Sequence, residues 1–201
     1  RLFAVDFIPP HLHLLNREKR IQALMSIYKL KSSFQNLLRP LVGRLAERGV
    51  TANQVTLFAA LVSVGIGVLL LANPQPALFA LVPIWMLLRM ALNAVDGMLA
   101  REHGQKSALG GYLNEITDVV SDAALYLPFA LIAPFSLPWL TAIVFLATLT
   151  EFTGVLGVAH GKGRSYEGPM GKSDRALLFG ALGALVAGFG TLPDWTWHIQ
   201  P

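Results

Sequence analysis

Five apolar stretches, each about the length of a lipid crossing, limit what this chain can fold into more than any other feature of its sequence. They cover residues 55–72, 77–95, 112 to about 133, 139–159 and 176–192. A membrane-spanning helix needs roughly 20 mainly apolar residues. Composition agrees, with 54% of residues hydrophobic, 14% charged and a mean hydropathy of +0.53. A soluble domain carries about 25% charged residues, so this chain lacks the polar surface to cover a globule in water. The breaks fall where helices must stop: Asn73-Pro74-Gln75-Pro76 cannot continue one, and Pro134 closes the third stretch. The last stretch is rich in Gly and Ala, which lets helices approach closely in lipid. The expected fold is all-α, a polytopic transmembrane helical bundle.

Basic residues orient that bundle. The connections 73–76 and 134–138 hold no Lys or Arg, whereas Arg101 and Lys106 lie in the second connection and Lys162, Arg164, Lys172 and Arg175 in the fourth. Lys29, Lys31, Arg39, Arg44 and Arg48 precede the first stretch. The excess of positive charge on cytoplasmic loops places all of these inside the cell. The net charge of +4 and pI near 9.6 are thereby a topology signal, not a surface for nucleic acid. Between residues 31 and 49, Phe34, Leu37, Leu38, Leu41, Val42 and Leu45 recur at helical spacing with the basic residues mostly off that face. This predicts an N-terminal amphipathic surface helix, bent at Pro40 and ended at Gly49. With no cysteine there is no disulfide, thiolate metal site or thiol nucleophile. Residues 1–24 precede a start-like Met25-Ser26-Ile27-Tyr28 and read as a segment of separate origin, the end of a preceding domain or a vector-derived scar. Residues 25–201 form the membrane domain, whose five visible spans leave Trp195 and Trp197 at the outer interface.

Charged groups inside spans are costly and face a cavity, a partner or a metal. Asp96 closes the second stretch, with Asn93 one turn before it. Asn114, Asp118 and Asp122 follow at i, i+4 and i+8 on the third, so they share one helix face. Two such faces joined by a cytoplasmic loop converge hard oxygen ligands of the kind magnesium, manganese or calcium takes. The other reading is ion pairing across helices with Arg89 and Arg101. Glu151, beside Thr148, Thr150 and Thr153, either helps bind an acceptor in the same cavity or pairs with Arg89. Lys172 and Arg175 are open both to contact with an acceptor's phosphate and to plain cytoplasmic anchoring. His103 reads as a solvated loop histidine. A transporter is a poorer match, because the polar groups gather at one end of the spans instead of near the midplane.

The run Asn93-Ala94-Val95-Asp96-Gly97-Met98-Leu99-Ala100-Arg101, then Gly110, Asn114 and Asp118, resembles the CDP-alcohol phosphotransferase family pattern D-x-x-D-G-x-x-A-R-x(8)-G-x-x-x-D-x-x-x-D. The spacing agrees throughout. Asp96, Gly97, Ala100, Arg101, Gly110 and Asp118 match, and Asn93 and Asn114 stand at the first and third aspartates. Ala52-Asn53-Gln54-Val55-Thr56 is similar to the Asn-x-x-Thr that opens the family's first span. Gly168-Pro169-Met170-Gly171-Lys172-Ser173-Asp174-Arg175 looks like its basic loop before the fifth. The resemblance implies six spans, one beyond those visible, and a homodimer in a bacterial inner membrane with its site facing the cytoplasm. It implies transfer of a phosphatidyl or similar phospho-alcohol group from a CDP-alcohol, CDP-diacylglycerol above all, to a polar alcohol acceptor, with release of CMP, in phospholipid biosynthesis.

The resemblance also distributes roles. Asp96 would be the central metal ligand, and Asp118 would bind metal and accept the proton of the attacking hydroxyl. Asp122 would restore charge that Asn93 and Asn114 lack, completing a magnesium or manganese centre with two sites in which the amides are neutral ligands. Asn53, Thr56, Asp96, Gly97, Ala100, Arg101 and Gly110 would line the nucleotide site, the glycines allowing close backbone approach. Lys172, Arg175 and Glu151 would serve the acceptor. A catalytically silent member that binds CDP-lipid or regulates a partner is the rival, favoured by the two asparagines.

Overall fold

The structure, a computed structural model, describes residues 32–159 and 170–190. Residues 1–24, expected to be of separate origin, the loop residues Lys162 and Arg164, and the terminal tryptophans lie outside the described residues. Six α-helices follow in order: α1 (residues 32–47), α2 (Ala52–Ala72), α3 (Leu81–Glu102), α4 (Ala108–Tyr126), α5 (Leu137–Ala159) and α6 (Lys172–Phe189). Short 3₁₀ turns at Pro76–Ala80 and Leu127–Leu131 lead into α3 and out of α4. The described residues form no strand, and the all-helical membrane architecture expected from the sequence is what folds. Among the described residues three segments, Ala52–Ala72, Pro76–Glu102 and Leu137–Gly157, are long and apolar enough to cross a membrane. The other two expected spans fold as α4 and α6, each carrying three charged groups that lower its hydropathy.

Local chemistry sets the boundaries. Residues 32–47 end in a Schellman turn, Val50 N–H bonding Leu45 C=O at 3.0 Å, with Gly49 at φ 74° where a side chain would be strained. Thr51 caps α2 in a reciprocal box with Gln54, so the helix starts three residues before the apolar run does. The second stretch was expected to end at residue 95, where charge begins; α3 instead continues to Glu102. A charge does not interrupt a backbone hydrogen-bond ladder, and the chain turns only at Gly104, φ 69°. Ser107 Oγ accepts from Gly110 N–H at 2.9 Å and opens α4.

α2 lies between α3 and α4, α6 packs on α3 and the turn before it, and α5 packs on α4. Gly67 makes the α2–α4 crossing possible: a Cβ there would sit 2.3 Å from the Ala124 carbonyl oxygen. Two apolar clusters hold the bundle. One, around Phe79, Trp85, Tyr126, Phe129 and Phe179, includes a Tyr126–Phe179 stack at 3.7 Å between centroids. The other joins Val42 of α1 to Val55 of α2 and to Val95, Met98 and Leu99 of α3. Along α3 the polar positions Arg89, Asn93 and Asp96 fall between and beside these clusters, which places the polar layer near one end of the bundle. Outward residues such as Leu61, Leu87, Trp139, Phe145 and Leu177 are exposed and apolar, as a lipid-facing surface requires. On α1, Leu38, Val42 and Leu45 pack inward while Phe34, Leu37 and Leu41 stay exposed, so the apolar face of this helix is split between bundle and surroundings.

Candidate functional site

A cavity of about 890 Å³ opens where the start of α2, the last turns of α3, the α3–α4 loop and the start of α4 meet. Asn53 and Thr56 reach it from α2, Asn93, Asp96, Gly97, Ala100 and Arg101 from α3, Gly110 and Asn114 from α4, and Lys172 from the first turn of α6. Residues separated by more than a hundred positions thus share one cavity because four helices begin or end at this level. Gln105, which carried no periodic signal, ties the loop down: its Oε1 accepts Ala52 N–H at 2.7 Å and its Nε2 donates to Val50 C=O at 3.3 Å. Gly97 is a seat for a guanidinium, since a Cβ there would lie 2.9 Å from Arg101 Nη1. Gly110 leaves room for Asn53, whose Oδ1 would be 2.7 Å from a Cβ at that position.

Asp96 is buried on the cavity wall and accepts a hydrogen bond from Thr56 Oγ1 at 2.8 Å. Among the described residues no Lys or Arg pairs with it. Asp118 differs sharply. Its Oδ1 accepts from Arg89 Nη2 at 2.9 Å and its Oδ2 is bonded by the Lys172 ammonium. Behind it, Asp122 Oδ1 accepts from Arg89 Nη1 at 2.6 Å, and its Oδ2 accepts from Arg175 Nε at 3.2 Å and Nη2 at 3.1 Å. Arg175 Nη2 also donates to Glu151 Oε1 at 2.6 Å. Arg89, Lys172 and Arg175 thereby face Asp118, Asp122 and Glu151 as three cations to three carboxylates, a neutral network where a net charge would be costly.

Three expectations are corrected by this arrangement. Asp122 is not exposed to the cavity with Asp96: two arginines hold both its oxygens. Glu151 pairs with Arg175, not with Arg89: the long Arg175 side chain reaches Glu151 from α6, while Arg89 meets α4. Arg175 and Glu151 are buried inside the network and do not line the cavity, although Lys172 does. The pairing of Arg89 had a sequence signal, since it precedes Asp96 by seven residues on one helix face.

The donors fit one hard cation better than two. Asp96, free of a cationic partner, borders the cavity with the amide side chains of Asn93 and Asn114, and oxygens of this kind suit magnesium or manganese. Asp118 and Asp122, the carboxylates a second ion would use, are already neutralised by side-chain cations. Among the described residues no three acidic, His or Cys side chains cluster to hold a metal.

Among the described residues this cavity combines a carboxylate without a cationic partner, amide oxygens and cations at one level of a helical membrane bundle, which defines a membrane protein with a polar site beside lipid. The family model for CDP-alcohol phosphatidyltransferase matches residues 49–199, and the chain belongs to that family. It is 48% identical over 171 residues, 85% of this chain and 84% of the relative, to the inner membrane protein YnbA of Escherichia coli (strain K12). It is also 31% identical over 105 residues, 51% of this chain and 53% of the relative, to the archaetidylinositol phosphate synthase of Pyrococcus horikoshii.

Proposed function

We propose that this chain transfers a phosphatidyl group from CDP-diacylglycerol to a small polar alcohol, releasing CMP, as a homodimer in a bacterial inner membrane with its cavity toward the cytoplasm. The observation that carries the reading is the convergence of Asn53, Thr56, Gly97, Ala100, Arg101 and Gly110 on one cavity around Asp96. The acceptor hydroxyl oxygen forms the new bond to the lipid-bearing phosphorus as the bond to the CMP oxygen breaks. Arg101, seated over Gly97, meets the diphosphate, and Lys172 holds the acceptor side of the cavity. Asp118, behind Lys172, takes the hydroxyl proton. One magnesium or manganese ion, held by Asp96 with the amide oxygens of Asn93 and Asn114, would supply neutralisation of charge on the phosphoryl oxygens. Because the archaeal relative is named for an inositol phosphate product, inositol phosphate belongs in the acceptor panel with glycerol phosphate and serine.

The test is CMP release from CDP-diacylglycerol in proteoliposomes with each acceptor, with and without magnesium. Turnover with one acceptor, abolished in Asp96→Asn, supports the proposal; no CMP from any acceptor refutes it. A silent, CDP-lipid-binding protein is the second reading, favoured by an Asp118 whose two oxygens are both held by cations. Nucleotide binding without turnover across the whole panel would select it.

A further inference from the structure

We propose that Arg89 is a positioning residue for the transfer reaction: its guanidinium forks between Asp118 and Asp122 and fixes which oxygen of Asp118 is turned toward the cavity. This rests on the proposed function above, in which Asp118 takes the acceptor's hydroxyl proton. Arg89 stands four residues before the motif run that begins at Asn93, and it is not one of the residues lining the cavity. It touches no substrate and acts only through the carboxylates of α4. Those carboxylates sit at i and i+4, side by side on one face. Arg89 Nη1 donates to Asp122 Oδ1 at 2.6 Å and Nη2 to Asp118 Oδ1 at 2.9 Å, so each arm of the fork holds one acid.

Nη2 also donates to the main-chain carbonyl of Asp118 at 3.2 Å. One nitrogen bonded to both the side-chain and the main-chain oxygen of a single residue closes a ring through its Cα and Cβ, which fixes the torsion between them. With Oδ1 held at Arg89, Oδ2 is the oxygen that meets Lys172, and Lys172 borders the cavity. The two cations on Asp118 differ in permanence. The Arg89 side chain is 5% exposed and bound to three oxygens, whereas that of Lys172 is 31% exposed on a flexible stem and can yield Oδ2 to an incoming hydroxyl. Keeping the network neutral needs only a positive charge at position 89, which lysine supplies. Holding three particular oxygens at once needs a planar fork, which lysine lacks. Charge and positioning are therefore separable by substitution.

The experiment measures kcat and the KM values for CDP-diacylglycerol and for the acceptor that supports turnover, in proteoliposomes. Beside these stand the Kd of CDP-glycerol, a soluble CDP-alcohol, and the melting temperature, both for the detergent-purified full chain. Arg89→Lys keeps the network neutral; kcat should fall about tenfold or more while both KM values and the Kd stay within about threefold of wild type. Arg89→Met with Asp122→Asn removes one cation together with one carboxylate and must show the same split; it stands in where Arg89→Lys does not fold. Phe129→Leu, in the apolar cluster at the turn that leads out of α4, lowers the melting temperature without touching Asp118 and should keep the wild-type kcat. A wild-type kcat in the Arg89 variants, a loss confined to KM, or an equal loss in Phe129→Leu overturns this inference and leaves the proposed reaction standing. No CMP from any acceptor in the wild-type protein overturns both.

Discussion

Replacing Arg175 with methionine removes the cation that joins α4, α5 and α6. Its guanidinium donates five hydrogen bonds, two to Asp122 and one each to Thr150 Oγ1, the Met170 carbonyl and Glu151, and its side chain is 3% exposed. Methionine fills similar volume, so the loss is electrostatic: Glu151 keeps no cation and Asp122 keeps only Arg89. Among the described residues Glu151 Oε2 has no hydrogen-bond partner, so little else holds that carboxylate. Removing one member of a buried pair costs about 3–5 kcal/mol. At roughly 2–4 °C per kcal/mol for a chain of this size, the melting temperature should fall by about 6–20 °C. The assay is thermal unfolding in detergent followed by tryptophan fluorescence. Adding Glu151→Gln to Arg175→Met restores neutrality and should recover about half of the loss or more, a positive coupling between neighbours. A drop of less than about 2 °C for Arg175→Met, or a double variant as unstable as the sum of its singles, refutes the account of a charge-balanced network.

Three further outcomes follow from the geometry. Gly67→Ala drives a Cβ into the backbone of α4 at Ala124 and should cost about 1–3 kcal/mol of thermal stability, with nucleotide affinity in the surviving folded protein unchanged. Gln105→Ala frees the α3–α4 loop from Ala52 and Val50; CDP-glycerol affinity should fall severalfold while the melting temperature moves little, and an unchanged affinity would show that the loop holds itself. Arg39→Ala breaks an exposed ion pair with Glu102 at 3.1 Å and should leave the melting temperature nearly unchanged, so a large drop would mean that this contact anchors α1.

Much of this fold was legible in the order of residues alone. The lipid-length stretches, the proline breaks and the caps at Thr51 and Ser107 act within a few residues of chain, so the helices and most of their ends follow from local rules. The spacing of Asn93, Asp96, Asn114 and Asp118 likewise places each pair on a helix face, and the family pattern was readable from Gly97, Arg101 and Gly110. What local rules cannot supply is which cation meets which acid. Lys172 and Asp118 are 54 positions apart, and Arg175 and Asp122 are 53 apart. Their pairing depends on the rotation and approach of whole helices, which Gly67 and the apolar clusters set. The sequence offered Glu151 an acceptor or Arg89; the fold gives it Arg175, whose side chain reaches across from α6. Gln105 gave no periodic signal because a loop side chain bonding backbone has no repeat to betray it. The chain therefore determines its helices, their membrane character and the residues that share each face, because those depend on contacts between near neighbours. Only tertiary packing decided that, among the described residues, Asp96 would stand without a cation while Asp118, Asp122 and Glu151 were neutralised, because charge pairing between helices is settled by distances that no linear spacing encodes.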